Sequence, residues 1–361
     1  MSSARGLLAV RAPNWVGDLV MATPVLAAAL ESRAWSDVRV LVRGHLAGVL
    51  ADGPWAERVV PLARDADEAA VYRELAPAGV VLLSNSFGAA LRAWRARVPF
   101  RAGSALSGRR FLLTHSVVPP ARDGRRVPIP TAHLLRDVAG LADVAVHDLH
   151  PRLFLRAERA ERERALLDTR GVDRARGYVL CCPGAAFGAA KLWPPERFAA
   201  TLDALHAEFG WRGVVTGGPG EEPLMDAVAS ATKHGAVSLA SAKRDLEGLK
   251  ELVRGARLLL VGDSGPRWYA AAFDVPCVSV MGPNFPELTA SSLELARVVR
   301  VEGLECAPCL ERVCPLGHHR CMRDLGVEGV LEAARDVLAR ERRGGMDSIV
   351  GAAPRAEPVR A

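Results

Sequence analysis

Lysine is almost missing from this chain of 361 residues: 47 basic side chains include Lys191, Lys233, Lys243 and Lys250, and all the others are arginine. High-GC codon usage explains the scarcity and says nothing about any one position. A compact ammonium that survives in a glycine-rich loop is then a candidate phosphate ligand. Long apolar runs are also missing. The longest uncharged stretch, Leu75 to Leu91, carries Pro77, Ser84, Asn85 and Ser86, whereas a spanning helix needs about 20 mainly apolar residues. The run Gly6 to Val10 is short for a signal-peptide core, so a cytoplasmic protein is expected. Aromatic residues make up 5%, and no recognition-helix or zinc-finger spacing accompanies the basic charge, which argues against a nucleic-acid partner. The patterns GxGxxG and GxxxxGK[ST] are absent, which lowers a dehydrogenase or P-loop reading. Seven cysteines in such a chain point to thiols or a metal site and away from a disulfide scaffold.

Acidic residues are absent from Leu75 to Arg122, a stretch that holds Arg92, Arg95, Arg97, Arg101, Arg109, Arg110 and Arg122. An anionic partner of the amino-terminal half explains this bias, and a solvated basic face explains it equally well. Half of the residues are apolar and 24% are charged, a composition for a globular α/β protein. Short apolar runs at Gly6–Arg11, Val38–Val42, Val59–Leu62 and Val80–Leu83 read as strands separated by helical or loop segments, with one helix from about Leu19 to Leu30. The pattern recurs at Tyr178–Cys182, Gly213–Thr216, Ala236–Leu239, Leu258–Val261 and Cys277–Met281. Two α/β domains in tandem with parallel sheets follow: residues 1–170, residues 171–342, and a flexible tail at 343–361 rich in Gly, Pro and Ala.

Open α/β sheets bind ligands at the carboxyl ends of their strands, so three strand-to-helix turns are candidate sites. The first is Asn14-Trp15-Val16-Gly17-Asp18. Asp18 there is either a helix cap or a general base, and the turn alone favours the cap. The second turn runs from Cys182 through Gly184 and Gly188 to Lys191 and Pro194, with small residues that let backbone N–H groups approach an anion. The third, Gly262-Asp263-Ser264-Gly265-Pro266, offers a hydroxyl and a glycine backbone as an anion nest, and alone it could be an ordinary capped helix start.

Taken together in their order and spacing, RAPNWVGDLVMATPVLAAAL, LLSNSFGAALRAW, CPGAAFGAAKLWPPERFA and GDSGPRWYAAAFDVPCVSVMGPNFPELT are far more specific than any one turn. The chain resembles the lipopolysaccharide heptosyltransferases of glycosyltransferase family 9 over most of residues 5 to 340. That resemblance implies a GT-B fold with two Rossmann-like domains facing a cleft. It implies inverting transfer of L-glycero-D-manno-heptose from ADP-heptose to the lipopolysaccharide inner core, as the second heptose. Asp18 matches the family's base. Lys191, Gly184, Asp263, Ser264, Gly265 and Pro266 match the donor diphosphate site. Asn14, Gly17, Asn85, Ser86 and Arg92 match the acceptor side, where an anionic lipid A–Kdo glycolipid would bind, with room for peripheral contact with the inner membrane. No metal or cofactor is demanded by this scheme. A related transferase with another nucleotide sugar or acceptor, and a non-catalytic glycolipid binder, are the alternatives.

One position departs from the family: Trp268 stands where DSGPxH would place a histidine, and an indole cannot accept a proton. It either stacks on the donor or packs in the core. Cys306, Cys309, Cys314 and Cys321, with His318 and His319 nearby, are spaced for a structural zinc site or for a thiol-rich loop. Cys181, Cys182 and Cys277, within apolar strands, are expected in the core.

Overall fold

The apolar runs of the sequence form strands of two parallel sheets in a computed structural model that describes residues 4–350. The first half consists of β1 (Arg5–Arg11), α1 (Val16–Met21), α2 (Thr23–Glu31), β2 (Trp35–Arg43), β3 (Val59–Leu62), α3 (Glu68–Leu75), β4 (Gly79–Leu82), α4 (Phe87–Arg95), β5 (Phe100–Ser104), β6 (His115–Val117), the ribbon β7 (Ala121–Arg122) with β8 (Arg125–Arg126), and α5 (Thr131–Gly140). The second half follows with α6 (Ala157–Thr169), β9 (Tyr178–Cys182), α7 (Pro195–Phe209), β10 (Arg212–Val215), α8 (Glu222–Ala231), β11 (Val237–Ser238), α9 (Gly248–Arg254), β12 (Leu258–Gly262), α10 (Pro266–Ala272), β13 (Cys277–Val280), β14 (Ala296–Val299), α11 (Arg320–Arg323) and α12 (Val327–Val350).

The two sheets share one topology: β3-β2-β1-β4-β5-β6 in the first and β11-β10-β9-β12-β13-β14 in the second. Strand order in each reverses between its first and fourth strands, the place where doubly wound sheets open a crevice for ligands. β4, β9, β12 and β13 are buried at every residue. This accounts for their unbroken apolar sequences, since helices cover both faces of such a sheet. Cys181, Cys182 and Cys277 lie in these strands and are buried, as expected.

Two stretches differ from the sequence expectation. The helix anticipated from Leu19 to Leu30 is two helices, broken at Ala22. Pro24 lacks an N–H and would crowd the Val20 carbonyl within one continuous helix, and that carbonyl instead accepts from the Thr23 hydroxyl at 2.8 Å. The charged helix α6 packs on α9 of the second half, with Arg164 Nε donating to Glu251 at 2.7 Å, although the sequence puts a boundary behind it near residue 170. α12 continues to Val350, and the remaining expected tail, 351–361, lies outside the described residues.

The end of β1 is held by a buried ion pair. Arg11 Nε donates to Glu68 Oε1 at 2.8 Å, with 0% and 1% of the two side chains exposed. The Tyr72 hydroxyl lies 3.5 Å from the same oxygen and the Arg43 guanidinium 3.9 Å from the other. Removing one member of such a pair strands a buried charge. Glu68→Ala should therefore lower the unfolding free energy by about 3 kcal/mol, measured by urea denaturation.

Candidate active site

The loops after β1, β4, β9 and β12 all spring from the two crevices, and together with the helices they lead into they carry every site residue picked from the sequence. The crevices meet where α1 and α10 come into contact. A Cβ on Gly17 would lie 2.7 Å from Trp268 Cδ1, and one on Gly265 would lie 2.8 Å from Val16 Cβ. Glycine at both positions is what lets the two backbones approach so closely.

Asp18 is the third residue of α1, whose cap position is Trp15 with extended backbone and no side-chain cap bond. The cap reading is thus lost. Among the described residues the Asp18 carboxylate accepts no hydrogen bond, and burial pushes its pKa from the ordinary 3.8 to about 6, while the nearby Lys191 ammonium draws it part of the way back. A carboxylate poised near neutrality and left without internal donors has the properties of a general base.

Lys191 closes the short turn Ala189–Lys191 and reaches across to the loop after β12. Its Nζ lies 2.5 Å from Asp263 Oδ2 and 3.4 Å from the Asp263 carbonyl. Asn284 Nδ2 donates to the same carboxylate at 2.9 Å. The ammonium also sits 4.7 Å from the centre of the Phe187 ring, which the Arg312 guanidinium approaches at 5.1 Å. Ser264 and Gly265 lead into α10, with Gly265 at its cap and Pro266 as its first residue. Above Gly184 stands Glu221, whose carboxylate carbon would be 2.0 Å from a Cβ there, and whose Oε2 accepts from Gly218 N at 2.7 Å. Sequence reasoning missed Glu221. The available signal was an acid just beyond the second strand of a doubly wound sheet, where such folds meet a ribose hydroxyl.

On the other crevice Asn14 is committed to the scaffold. It accepts from Arg11 Nη2 at 2.9 Å and donates to Ser84 Oγ at 3.0 Å. The Ser86 hydroxyl caps α4, accepting from Ala89 N at 3.4 Å, and Asn85 Oδ1 accepts from Ser104 Oγ at 2.6 Å. Arg92 folds back over the first turn of α4, its Nη1 2.7 Å from a Cβ placed on Gly88. Beneath this loop lies Arg109, also unforeseen. It is fully buried and donates to the carbonyls of Ser84, Ser86 and Ser104 and to the side chains of Asn85 and Ser104. Burial lowers its pKa to about 10.

Trp268 is buried against Gly17, with the Arg267 guanidinium 4.5 Å from its ring centre. The packing alternative of the sequence analysis is the one observed. Cys306, Cys309, Cys314 and Cys321 are free thiols that line one small cavity with His318 and His319. Among the described residues no group of three or more His, Cys, Asp or Glu side chains is placed to hold a metal ion. The segment instead braces the Lys191 turn: Ala190 N donates to the Arg312 carbonyl at 2.9 Å, and His319 Nε2 lies 2.8 Å from the Ala190 carbonyl.

The sequence profile of glycosyltransferase family 9 (heptosyltransferase) matches residues 74–320. The chain belongs to this family. Lipopolysaccharide heptosyltransferase 2 of Salmonella typhimurium is 26% identical over 344 residues, covering 91% of this chain and 97% of the relative. Lipooligosaccharide heptosyltransferase 2 of Campylobacter jejuni is 32% identical over 160 residues, where the chain spans about half (49%) of that relative's length. The solved structure of Escherichia coli ADP-heptose LPS heptosyltransferase II superposes with a TM-score of 0.71 at 21% identity, covering 93% of this chain and 99% of that one. The expected GT-B architecture is therefore the observed one.

In this family member the raised Asp18 pKa is also a stability term. A carboxyl whose folded pKa of about 6 exceeds its ordinary 3.8 holds its proton more tightly when folded. Stability attributable to it is present below pH 3.8 and falls as pH rises through about 6. Asp18→Asn should therefore raise the melting temperature at about pH 8, by up to about 3 kcal/mol of stability, and leave it unchanged at about pH 3.5. Thermal melts of both proteins at the two pH values check this.

Proposed function

We propose that the protein is an inverting transferase that moves L-glycero-D-manno-heptose from ADP-heptose to the inner core of lipopolysaccharide, adding the second heptose. The observation that carries this reading is the meeting of a half-buried, unbonded Asp18 with the Lys191–Asp263 pair at the junction of two facing crevices. On this reading residues 1–170 chiefly supply the acceptor side, and residues 171–342 the donor side. The acceptor is an anionic lipid A–Kdo glycolipid already bearing one heptose. The names of the relatives, which concern lipopolysaccharide, lipooligosaccharide and ADP-heptose, support that choice.

Each residue has a task. The Asp18 carboxylate accepts the proton of the acceptor hydroxyl as its oxygen bonds to the anomeric carbon on the face opposite ADP. The glycosidic bond to the β-phosphate breaks in the same event, through an oxocarbenium-like transition state. Lys191, held ready by Asp263 and the Phe187 ring, turns its charge to the departing diphosphate, where preorganised charge counts most. Backbone at Ser264 and Gly265 takes the same phosphates, and Glu221, standing over Gly184, faces the ribose. Asn14 and Arg109 act as positioning residues, holding the loops that present Asp18, Asn85 and Ser86. Arg92, lying over the first turn of α4, meets an anionic group of the acceptor. No helix among the described residues is long and apolar enough to cross a membrane, and the reaction is assigned to the cytoplasmic side, where nucleotide sugars are made.

The test is ADP release by the purified protein from ADP-heptose, with and without a Kdo–lipid A acceptor that carries one heptose. Acceptor-dependent release with a product heavier by one heptose is expected, and no release with that acceptor overturns the assignment. Turnover should rise with pH through about 6 and then level off, as Asp18 loses its proton. Asp18→Asn should cut kcat about 100-fold or more with little change in donor KM, and Lys191→Ala should cost a similar factor. Steady-state rates against pH for the three proteins distinguish a base from a merely structural acid.

A further inference from the structure

Helix α4 sets Ala89, Ala90, Ala93 and the partly buried Leu91 against the core, while its largest side chains, Phe87 and Trp94, one heptad apart and so on one flank, are 40% and 50% exposed. Phe111, on the short turn Arg110–Leu112 that packs against α4, is 73% exposed and its ring lies 6.1 Å from that of Phe87. An amphipathic helix normally turns its large apolar side chains to the core. Here three aromatic rings face outward from a stretch, Leu75 to Arg122, that contains no acid. The exposed Arg95 and Arg110 stand beside them in sequence.

We propose that this aromatic and basic surface is a docking site for the headgroup region of an anionic phospholipid bilayer. Aromatic side chains lodge at the boundary between headgroups and acyl chains, and arginines beside them are drawn to the negative surface potential. Charge complementarity selects the occupant: a stretch that exposes Arg95, Arg97, Arg110 and Arg122 and contains no carboxylate would repel a second basic copy of itself and attract anionic lipid. Docking also has a geometric use that rests on the glycolipid reading above. Ser86 caps α4 and Asn85 precedes it, so a helix lying on the bilayer holds the acceptor loop at the depth where a membrane-borne sugar emerges.

The experiment is co-sedimentation of the full chain with vesicles of phosphatidylcholine alone and with about 30% phosphatidylglycerol, at low and high salt. Binding confined to the anionic vesicles and weakened by salt is expected. Two double variants, Trp94→Ser with Phe111→Ser and Arg95→Glu with Arg110→Glu, should each reduce the partition coefficient about tenfold or more. Both should keep the wild-type melting temperature and the wild-type rate on a water-soluble, deacylated acceptor. Wild-type protein left in the supernatant with anionic vesicles overturns the proposal, as does undiminished binding by both variants. A dimer that the two serines dissolve, without vesicle binding, would make the surface a self-contact and overturn it as well. Vesicle binding is read without any transfer reaction, so its failure is separate from failure of the heptosyltransferase assignment.

Discussion

The site depends on the contact between α1 and α10, and that contact depends on two missing side chains. With hydrogen in place of a Cβ at Gly17 and Gly265, Trp268 and Val16 close the gap between the halves to van der Waals distance. Closure removes water from around Asp18, and loss of water is the largest cause of its raised pKa. The same closure brings Lys191, from the second half, within electrostatic reach of a carboxyl in the first. Charges across a dry seam interact far more strongly than they would through solvent. A residue and its modulating charge thus come from different halves, and neither half holds the pair alone.

Around this seam each loop is supported from below by a different device. On one side a buried guanidinium, Arg11, links β1 to Glu68 and to Asn14. Arg109 gathers three carbonyls and two side-chain oxygens under the Asn85–Ser86 loop without a carboxylate among them. Its charge is therefore left uncompensated by its direct partners, and it adds a positive field beneath a loop proposed to meet an anion. On the other side a segment distant in sequence, residues 306–321, leans on the Lys191 turn through one backbone bond, at Arg312, and the His319 imidazole. Of the four cysteines there, Cys314 supports this brace, its sulfur accepting from His319 N at 3.4 Å.

Much of this was legible in the sequence, and the parts that were not have physical reasons. Central strands show themselves because both faces are covered and every residue is apolar; the edge strands β6 and β14, three and four residues long and only partly buried, leave almost no such trace. The turns carrying Asp18, Lys191 and Asp263 were readable because glycine and a lone lysine are local signals. Arg109 and Glu221 were not, because their roles arise from folding: one arginine among seven in a basic stretch is distinguished only by the carbonyls that close around it, and an acid in GGPGEE only by Gly184 beneath it. Asp18 was read toward a cap by residue type, and the backbone at Trp15 decides otherwise. Trp268 was noticed as a departure, but its partner across the seam could not be guessed from either sequence neighbourhood.

Lysine use gives the seam an unexpected property. Lys233 and Lys243 are exposed, whereas Lys191 is paired with Asp263 and Lys250, in α9, is fully buried with its Nζ 2.7 Å from the Ala51 carbonyl of the other half. Burial lowers the Lys250 pKa to about 8, and the same burial shields the amine from any reagent while the halves stay together. Half of the chain's side-chain amines therefore lie at the junction and half on open surface. An acylating reagent applied to this protein becomes a gauge of how often the halves part, with its own internal standard on the surface.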